Sequence, residues 1–251
     1  MPRYLTFALV APMASFGSIA VGERRSGWDR PARSAVLGLI GACLGLERDD
    51  DAGQEALARG YALALLCHSP GRLLADYHTT QVPSTRRGRR FATRAEELAE
   101  PELNTVLSRR DYRTGAWHLG AVWPRDGARW SLEELAEAMR RPRFVPYLGR
   151  KSCPLGMPLG PAINEAEDAS AALLVRHRTG PEVALPAGRG HSLRDVLADP
   201  VVDTTIAMDA IDGSENCPRH LRTEFRRDQP RSRRRWQFDL REEAVFGTGS
   251  A

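Results

Sequence analysis

A run of short apolar segments, each bounded by proline, glycine or charge, constrains this chain more than any other feature of its sequence. "RYLTFALVAP" (Arg3–Pro12) is apolar, aromatic and short, and reads as a buried strand ended by proline. A polar, glycine-bearing loop follows through Arg30. "PARSAVLGLIGACLGL" (Pro31–Leu46) reads as a helix with Ser34 as its N-cap. Gly38, Gly41 and Gly45 fall on one face of it, which implies close approach to a sheet, because each glycine otherwise costs a helix ~1 kcal/mol. "GYALALLCH" (Gly60–His68) and "RLLADYHT" (Arg72–Thr79) read as strands joined by a Ser-Pro-Gly turn. After a basic stretch, "TRAEELAEPELN" looks helical and "GAWHLGAVW" (Gly115–Trp123) strand-like. "WSLEELAEAMRRP" carries a Ser131/Glu134 capping box and a terminating Pro142.

The first 150 residues therefore order as β-α-β-β-α-β, the ferredoxin-like arrangement that RNA-recognition domains share. "ASAALLVRHRTG", "VDTTIAMDAID" and "RRWQFDLRE" read as further strands. The expected class is α+β: a ferredoxin-like domain over 1–160 and a smaller β-rich part over 161–251 packed on it. At 251 residues, with 42% hydrophobic and 27% charged side chains, the chain can bury such a core.

Charge is modest in total, +4 with a pI of about 9.1, but uneven in place. "VPSTRRGRRFATR" (Val82–Arg94) holds Arg86, Arg87, Arg89, Arg90 and Arg94 and no acid. Its glycine and Phe91 alternate with guanidinium groups, a mixture suited to phosphate contact and base stacking. "LSRRDYR" (Leu107–Arg113) adds Arg109, Arg110, Arg113 and Tyr112 where the chain returns. Nine arginines against three acids lie between Arg219 and Arg241, and a cluster of this kind marks a surface that meets phosphate or carboxylate. An RNA is one partner that fits; an acidic protein surface is another.

Enzyme chemistry has thinner support. "GRKS" (Gly149–Ser152) holds Lys151, the only lysine of the chain, but Arg150 stands where a P-loop needs its second glycine, so that motif fails on spacing. No G-x-S-x-G or G-x-G-x-x-G occurs. The six histidines form no metal-binding spacing and the four cysteines no C-x-x-C pair, so neither cofactor nor metal is expected. "DYHT" (Asp76–Thr79) is the catalytic candidate. Metal-free RNA cleavage needs a base and an acid, which Tyr77, His78 and Lys151 can supply with Asp76 orienting the imidazole. Cys43 and Cys67 sit in or at the end of apolar runs, Pro12 interrupts the only signal-like opening, and no apolar run nears the ~20 residues of a membrane span. A cytoplasmic protein with no membrane contact is expected.

"APMASFG" (Ala11–Gly17), "PARSAVLGLIGACLGLERDD" (Pro31–Asp50), "DYHT", "LSRRDY" (Leu107–Tyr112) and "PYLGRKSCPLGMPL" (Pro146–Leu159) together resemble the CasD-type subunits of the type I-E CRISPR complex Cascade, in the RAMP superfamily. The resemblance covers about the first 160 residues and is loose beyond them. It implies a ferredoxin-like RAMP domain with a basic β-hairpin thumb near Val82–Arg110. It implies a non-catalytic subunit that caps the 5′ handle of the CRISPR RNA, next to the backbone subunit and the large PAM-reading subunit, and that meets target DNA only indirectly. A related subtype uses its equivalent subunit as a nuclease, so the Tyr77, His78 and Lys151 reading stays open. The implied RNA-binding residues are Met13, Phe16, Arg33, Arg86, Arg87, Arg89, Arg90, Arg109, Arg110, Tyr112, Arg150 and Lys151. Phe16 stands where the family often has tryptophan, which keeps a stacking face and removes an indole N–H. In "GRKS", Gly149 permits a sharp turn after a strand "RFVPYL", and Arg150 and Lys151 project toward RNA.

Overall fold

The computed structural model describes residues 1–18, 20, 22–84, 90–183, 203–210 and 214–248. Its centre is one large, predominantly antiparallel sheet. Strand β1 (Arg3–Ala14) lies between β6 (Ala162–Glu165) and the 22-residue β5 (Leu103–Pro124), and β5 pairs in turn with β3 (Tyr61–Ser69). Beyond β3 the same sheet continues through β7 (Thr205–Asp209), β9 (Gln237–Gly247) and β8 (His220–Ser232). The C-terminal strands thus extend the first sheet.

Strand β1 is buried on both faces, and its alternation decides which helices cover it. Leu5, Phe7 and Leu9 point to the layer of α1 (Arg33–Leu44) and α4 (Leu132–Arg140), where Val36, Ile40 and Leu135 pack. Tyr4, Ala8 and Val10 point to the opposite layer, where Leu173 of α5 (Ala169–Thr179) meets Trp117, Leu119 and Ala121 of β5. Gly120 is a glycine because Phe7 occupies the space a Cβ would need. The strand continues through Pro12 and does not stop there. The outer-side backbone groups belong to even-numbered residues, since the Ala8 N–H donates to Leu159 O and Val10 O accepts from Gly156. The missing Pro12 N–H therefore costs the β1–β5 ladder nothing.

Other local expectations need correction. "ASAALLVRHRTG" is helix α5: Asp168 caps it by accepting from Ala171 N–H at 2.7 Å, and its alanines favour a helix. Helix α1 begins after Ala32, which makes no side-chain cap, and Ser34 lies inside the first turn. Its glycines do not approach the sheet as a group: Gly38 faces the Arg233 guanidinium, Gly41 faces Leu57, and Gly45 ends the helix with φ 80°. Leu57 belongs to α2 (Asp51–Gly60), capped by Asp50, a helix the periodicity did not suggest. The expected helix around Arg94 is only α3 (Arg94–Leu98), and Leu103 already begins β5. "RFVPYL" is not a strand; among its residues only Tyr147 pairs, through an isolated bridge to Pro154.

The outer half of β5 leaves the sheet in a hairpin with β4 (Arg72–Pro83), paired from Arg72↔Thr114 to Pro83↔Leu103. Gly71 and Gly115, both with positive φ, mark the departure on the two strands. A Cβ on Gly71 would stand 2.7 Å from Thr114 O, so the bend closes only with glycine there. Most of β4 is exposed.

The C-terminal hairpin is stapled to the N-terminus of α1 by buried charge. Arg30 Nε donates to Glu243 at 2.9 Å, and Arg226 Nη1 reaches the same carboxylate at 3.3 Å. Arg241 donates to Asp228 at 2.9 Å, to Glu243 at 2.7 Å and to Asp209 at 3.1 Å. Burial pushes the Glu243 carboxyl up, but Arg226, Arg30 and Arg241 outweigh it and hold the pKa down at about 2. Part of the 219–241 arginine cluster is thus internal, with partner acids at Asp209 and Glu243, outside that segment.

Candidate nucleic-acid interface

The base of the β4–β5 hairpin gathers cations from three parts of the chain. The two-residue strand β2 (Arg24–Arg25) runs parallel to β5, which sets Arg24 beside Arg109 and Arg25 beside Arg110. All four are exposed. Asp111, itself buried, lies 3.5 Å from Arg24 and 3.8 Å from Arg109, while the partly exposed Asp76 is paired opposite Arg110 and the exposed Glu23 precedes Arg24. These three carboxylates, of which Asp76 also contacts His78, do not balance four guanidinium groups, so the patch stays net positive. Arg24 and Arg25 were not among the sequence-derived candidates; the "ERR" in the loop after β1 was the only signal.

Beside this patch lies the "GRKS" loop. It is closed by two hydrogen bonds, Leu148 N–H to Cys153 O and Cys153 N–H to Arg150 O, both 2.8 Å. Gly149 has φ 94°, and a Cβ there would overlap the Ser15 carbonyl. Glycine is therefore required twice, for backbone conformation and for space. The loop is held to the end of β1 by Ser15 N–H donating to Leu148 O at 3.1 Å. Arg150 folds back so that its guanidinium carbon stands 4.6 Å from the Tyr112 ring centroid, while its Nη1 is buried with no hydrogen-bond partner among the described residues. Lys151 stands exposed beyond it and faces away from the hairpin, into a cleft beside α1.

These positions sort the expected RNA contacts. Arg110 and Tyr112 share one face of β5, with Arg150 over the Tyr112 ring; Arg109 points to the other face with Asp111, Lys151 lines the cleft beside α1, and the half-buried Met13 is paired opposite Thr114. Arg90 is exposed; Arg86, Arg87 and Arg89 lie outside the described residues. Two expectations fail. Phe16 is buried, its ring edge-on to His118 at 5.1 Å, so no base can stack on it. Arg33 is buried as well, donating to Gln229 Oε1, Asp209, Ala58 O and Tyr61 O at 2.7–3.1 Å, and it locks α1 to the sheet. His118, behind Phe16, is wholly enclosed. Burial first, then the charges of Arg30, His68 and Arg113, push its pKa down to about 3, so it is neutral.

The catalytic candidates separate. His78 Nε2 stands 2.6 Å from Asp76 Oδ2, yet it makes no hydrogen bond among the described residues, so the orienting bond expected from Asp76 is not formed. Both project from β4 opposite Ser108 and Arg110, and Tyr77 opposite Arg109 is exposed. Along the strand His78 lies four residues beyond Leu74, the partner of Tyr112, a distance of roughly 13 Å. Lys151 instead faces the cleft beside α1, so the geometry supplies no acid opposite a base. Among the described residues no cluster of three or more His, Cys, Asp or Glu could hold a metal, and no helix is long and apolar enough to cross a membrane.

Comparison with known proteins fits this architecture. Residues 4–242 match the family model described as CRISPR-associated protein (Cas_Cas5), so the match runs well past the 160 residues in which the resemblance was legible. The Cascade subunit CasD of Escherichia coli (strain K12) is 32% identical over 208 residues, covering 79% of this chain and 88% of that protein. Among solved structures, a chain of a CRISPR RNA-guided surveillance complex superposes with a TM-score of 0.63 at 22% identity, covering 98% of this chain and 90% of its own. A crystal structure of a Cas protein gives a TM-score of 0.56 at 23% identity, covering 98% and 95%. The mixed α/β fold with its large antiparallel sheet is compatible with these relatives.

Proposed function

The chain belongs to the CRISPR-associated Cas5 family, and from that premise we propose that it is a non-catalytic, RNA-binding subunit of a Cascade-type surveillance complex that grips the 5′ handle of the CRISPR RNA. The observation that carries this reading is the cationic surface at the hairpin base. Arg24, Arg25, Arg109 and Arg110 are exposed there, and Arg150 joins them from the loop side over Tyr112. Phosphate contacts need such a surface, and the cations on it outnumber the acids Glu23, Asp76 and Asp111.

The reading extends to the frame. The sheet order β6-β1-β5-β3, with α1 and α4 in the connections, supports a ferredoxin-like RAMP core whose fourth strand, β6 (Ala162–Glu165), lies just beyond the expected boundary at residue 160. The exposed β4–β5 hairpin is the thumb, wider than the Val82–Arg110 insertion the sequence suggested because pairing starts at Arg72. Leu73, Leu74, Tyr77 and Val106 are exposed on it, apolar surface available to a backbone subunit and to the large PAM-reading subunit. The β-rich part after residue 161, joined through β7, completes the same body. The complex works in the cytoplasm and meets target DNA through the RNA and its other subunits.

The test is the salt dependence of binding between the full chain and single-stranded handle RNA. The double variant Arg109→Ala/Arg110→Ala is expected to bind more weakly and to lower the log–log slope by about 0.7 for each phosphate it no longer neutralises. An unchanged slope refutes the assignment. Incubation of the wild-type chain with repeat RNA in EDTA is expected to give no cleavage. Specific cutting that is abolished by His78→Ala would establish a nuclease instead.

A further inference from the structure

The turn between β8 and β9 (Arg233–Trp236) folds back over α1 and encloses a cleft with the "GRKS" loop. Its volume, about 970 Å³, is at the upper end of the usual size for a small-ligand site, roughly 300–1,000 Å³. One wall is the small-residue face of α1, Gly38 and Ala42. The opposite wall is Tyr147 and Lys151. Arg48, Arg233 and Trp236 complete it.

Three features of this cleft bear on what it can hold. First, two guanidinium groups share one indole: the Arg48 carbon lies 4.4 Å from the Trp236 centroid and that of Arg233 lies 5.6 Å from it. Neither arginine is paired with a carboxylate among the described residues, although Glu47 stands at the rim. Arg233 is anchored by donating to Ser34 O at 3.0 Å. Burial, and then the charge of Arg48, pull its pKa below the usual arginine value, so a positive group is held where its charge is not compensated. Second, Trp236 ends the β8–β9 hairpin loop in the left-handed conformation, φ 56°, with its N–H donating to Arg233 O at 3.3 Å; a hairpin loop can use such a residue, but tryptophan is an uncommon choice for it. Third, that residue presents a ring which is 59% exposed. It packs edge-on against Phe238, ring centroids 5.4 Å apart, and still leaves more than half of its surface open.

A ligand that uses the uncompensated cations and the open indole face must bring negative charge and a flat π surface together. An acidic peptide would meet the cations and leave the indole open. A nucleotide meets both, its base on an aromatic face and its phosphate among the cations. The "GRKS" loop lies between this cleft and the hairpin base, with Arg150 turned toward one and Lys151 toward the other. A single strand held at the hairpin base can pass over the loop into the cleft.

We propose that this cleft is a second single-stranded RNA site, in which one unpaired base stacks on Trp236 and its phosphates lie among Arg48, Arg233 and Lys151. The proposal rests on the RNA-binding reading above. Its test uses the full chain and a fluorescein-labelled, handle-length single-stranded RNA, with anisotropy for affinity and tryptophan fluorescence for stacking. Trp236→Ala is expected to weaken binding by roughly 5- to 150-fold, and Trp236→Phe to retain most of the affinity. Binding is also expected to quench tryptophan emission in the wild type and less so in Trp236→Phe. Arg48→Ala is expected to lower the log–log salt slope by about 0.7. If the wild type binds RNA and Trp236→Ala binds it equally well, the cleft is overturned while the RNA-binding reading stands. If Trp236→Ala loses only the binding of a polyglutamate probe, the occupant is an acidic protein segment. If the wild type binds no RNA, the failure lies in the reading on which the cleft rests.

Discussion

Replacing Gly149 by alanine tests whether the "GRKS" loop is shaped by close backbone approach. At φ 94° any L-residue loses roughly 1–2 kcal/mol to its own backbone. The added methyl would also overlap the Ser15 carbonyl oxygen and lie 3.3 Å from Ser15 Cα. Both atoms are backbone, so no rotamer change relieves the overlap and the loop must lift. Lifting it breaks the 3.1 Å bond from Ser15 N–H to Leu148 O, worth about 1 kcal/mol, and loosens Arg150 from Tyr112, about another 0.5–1 kcal/mol at a partly exposed site. The expected loss is about 3 kcal/mol, read as a shift in the urea midpoint at constant slope. Gly127→Ala is the control, because Gly127 has φ 78° and a methyl added there meets nothing within 4 Å, so it should lose only the backbone part. Handle RNA binding should fall in Gly149→Ala and not in Gly127→Ala. Equal losses of stability in the two variants would refute the close-approach argument.

Two further outcomes follow from buried charge. His118 has a folded pKa of about 3 against 6.5 in the unfolded chain, so the unfolded state binds the extra proton as pH falls below 6.5. Stability should therefore drop by about 2 kcal/mol between pH 7 and pH 5, and His118→Leu should remove most of that drop in urea titrations at the two pH values. Glu243→Gln leaves Arg30, Arg226 and Arg241 without their shared carboxylate, and breaking such a buried network should cost about 3–5 kcal/mol in thermal or urea unfolding.

Elements with a strong local signal were legible in the sequence. The capping box at Ser131 and Glu134 forms as written, and the apolar runs of β1 and β3 are strands because their alternation suits a sheet covered on both faces. Helix α5 was misread because "ASAALLV" is apolar without a clear period, and the deciding signal was the cap at Asp168 rather than the run itself. The two unforeseen arginines of the candidate site, Arg24 and Arg25, reach it through a two-residue strand paired with residues more than eighty positions away, which no local pattern reports. Phe16 and Arg33 show the reverse error. A motif transfers residue identity but not the direction a side chain faces, and both point inward. The arginines of 219–241 misled in the same way, since Arg226 and Arg241 find acids at Asp209 and Glu243, beyond both ends of that segment.

The most direct test of the account is where the RNA touches the chain. Handle RNA carrying a photoreactive nucleotide near its 5′ end should be cross-linked to the full chain, alone and in the assembled complex, and the adducts located by mass spectrometry. The account predicts adducts within Arg109–Tyr112 and Arg150–Lys151, with protection of the RNA 5′ end from exonuclease that Arg109→Ala/Arg110→Ala removes. Adducts confined to other surfaces, with 5′ protection undiminished in that variant, would contradict it.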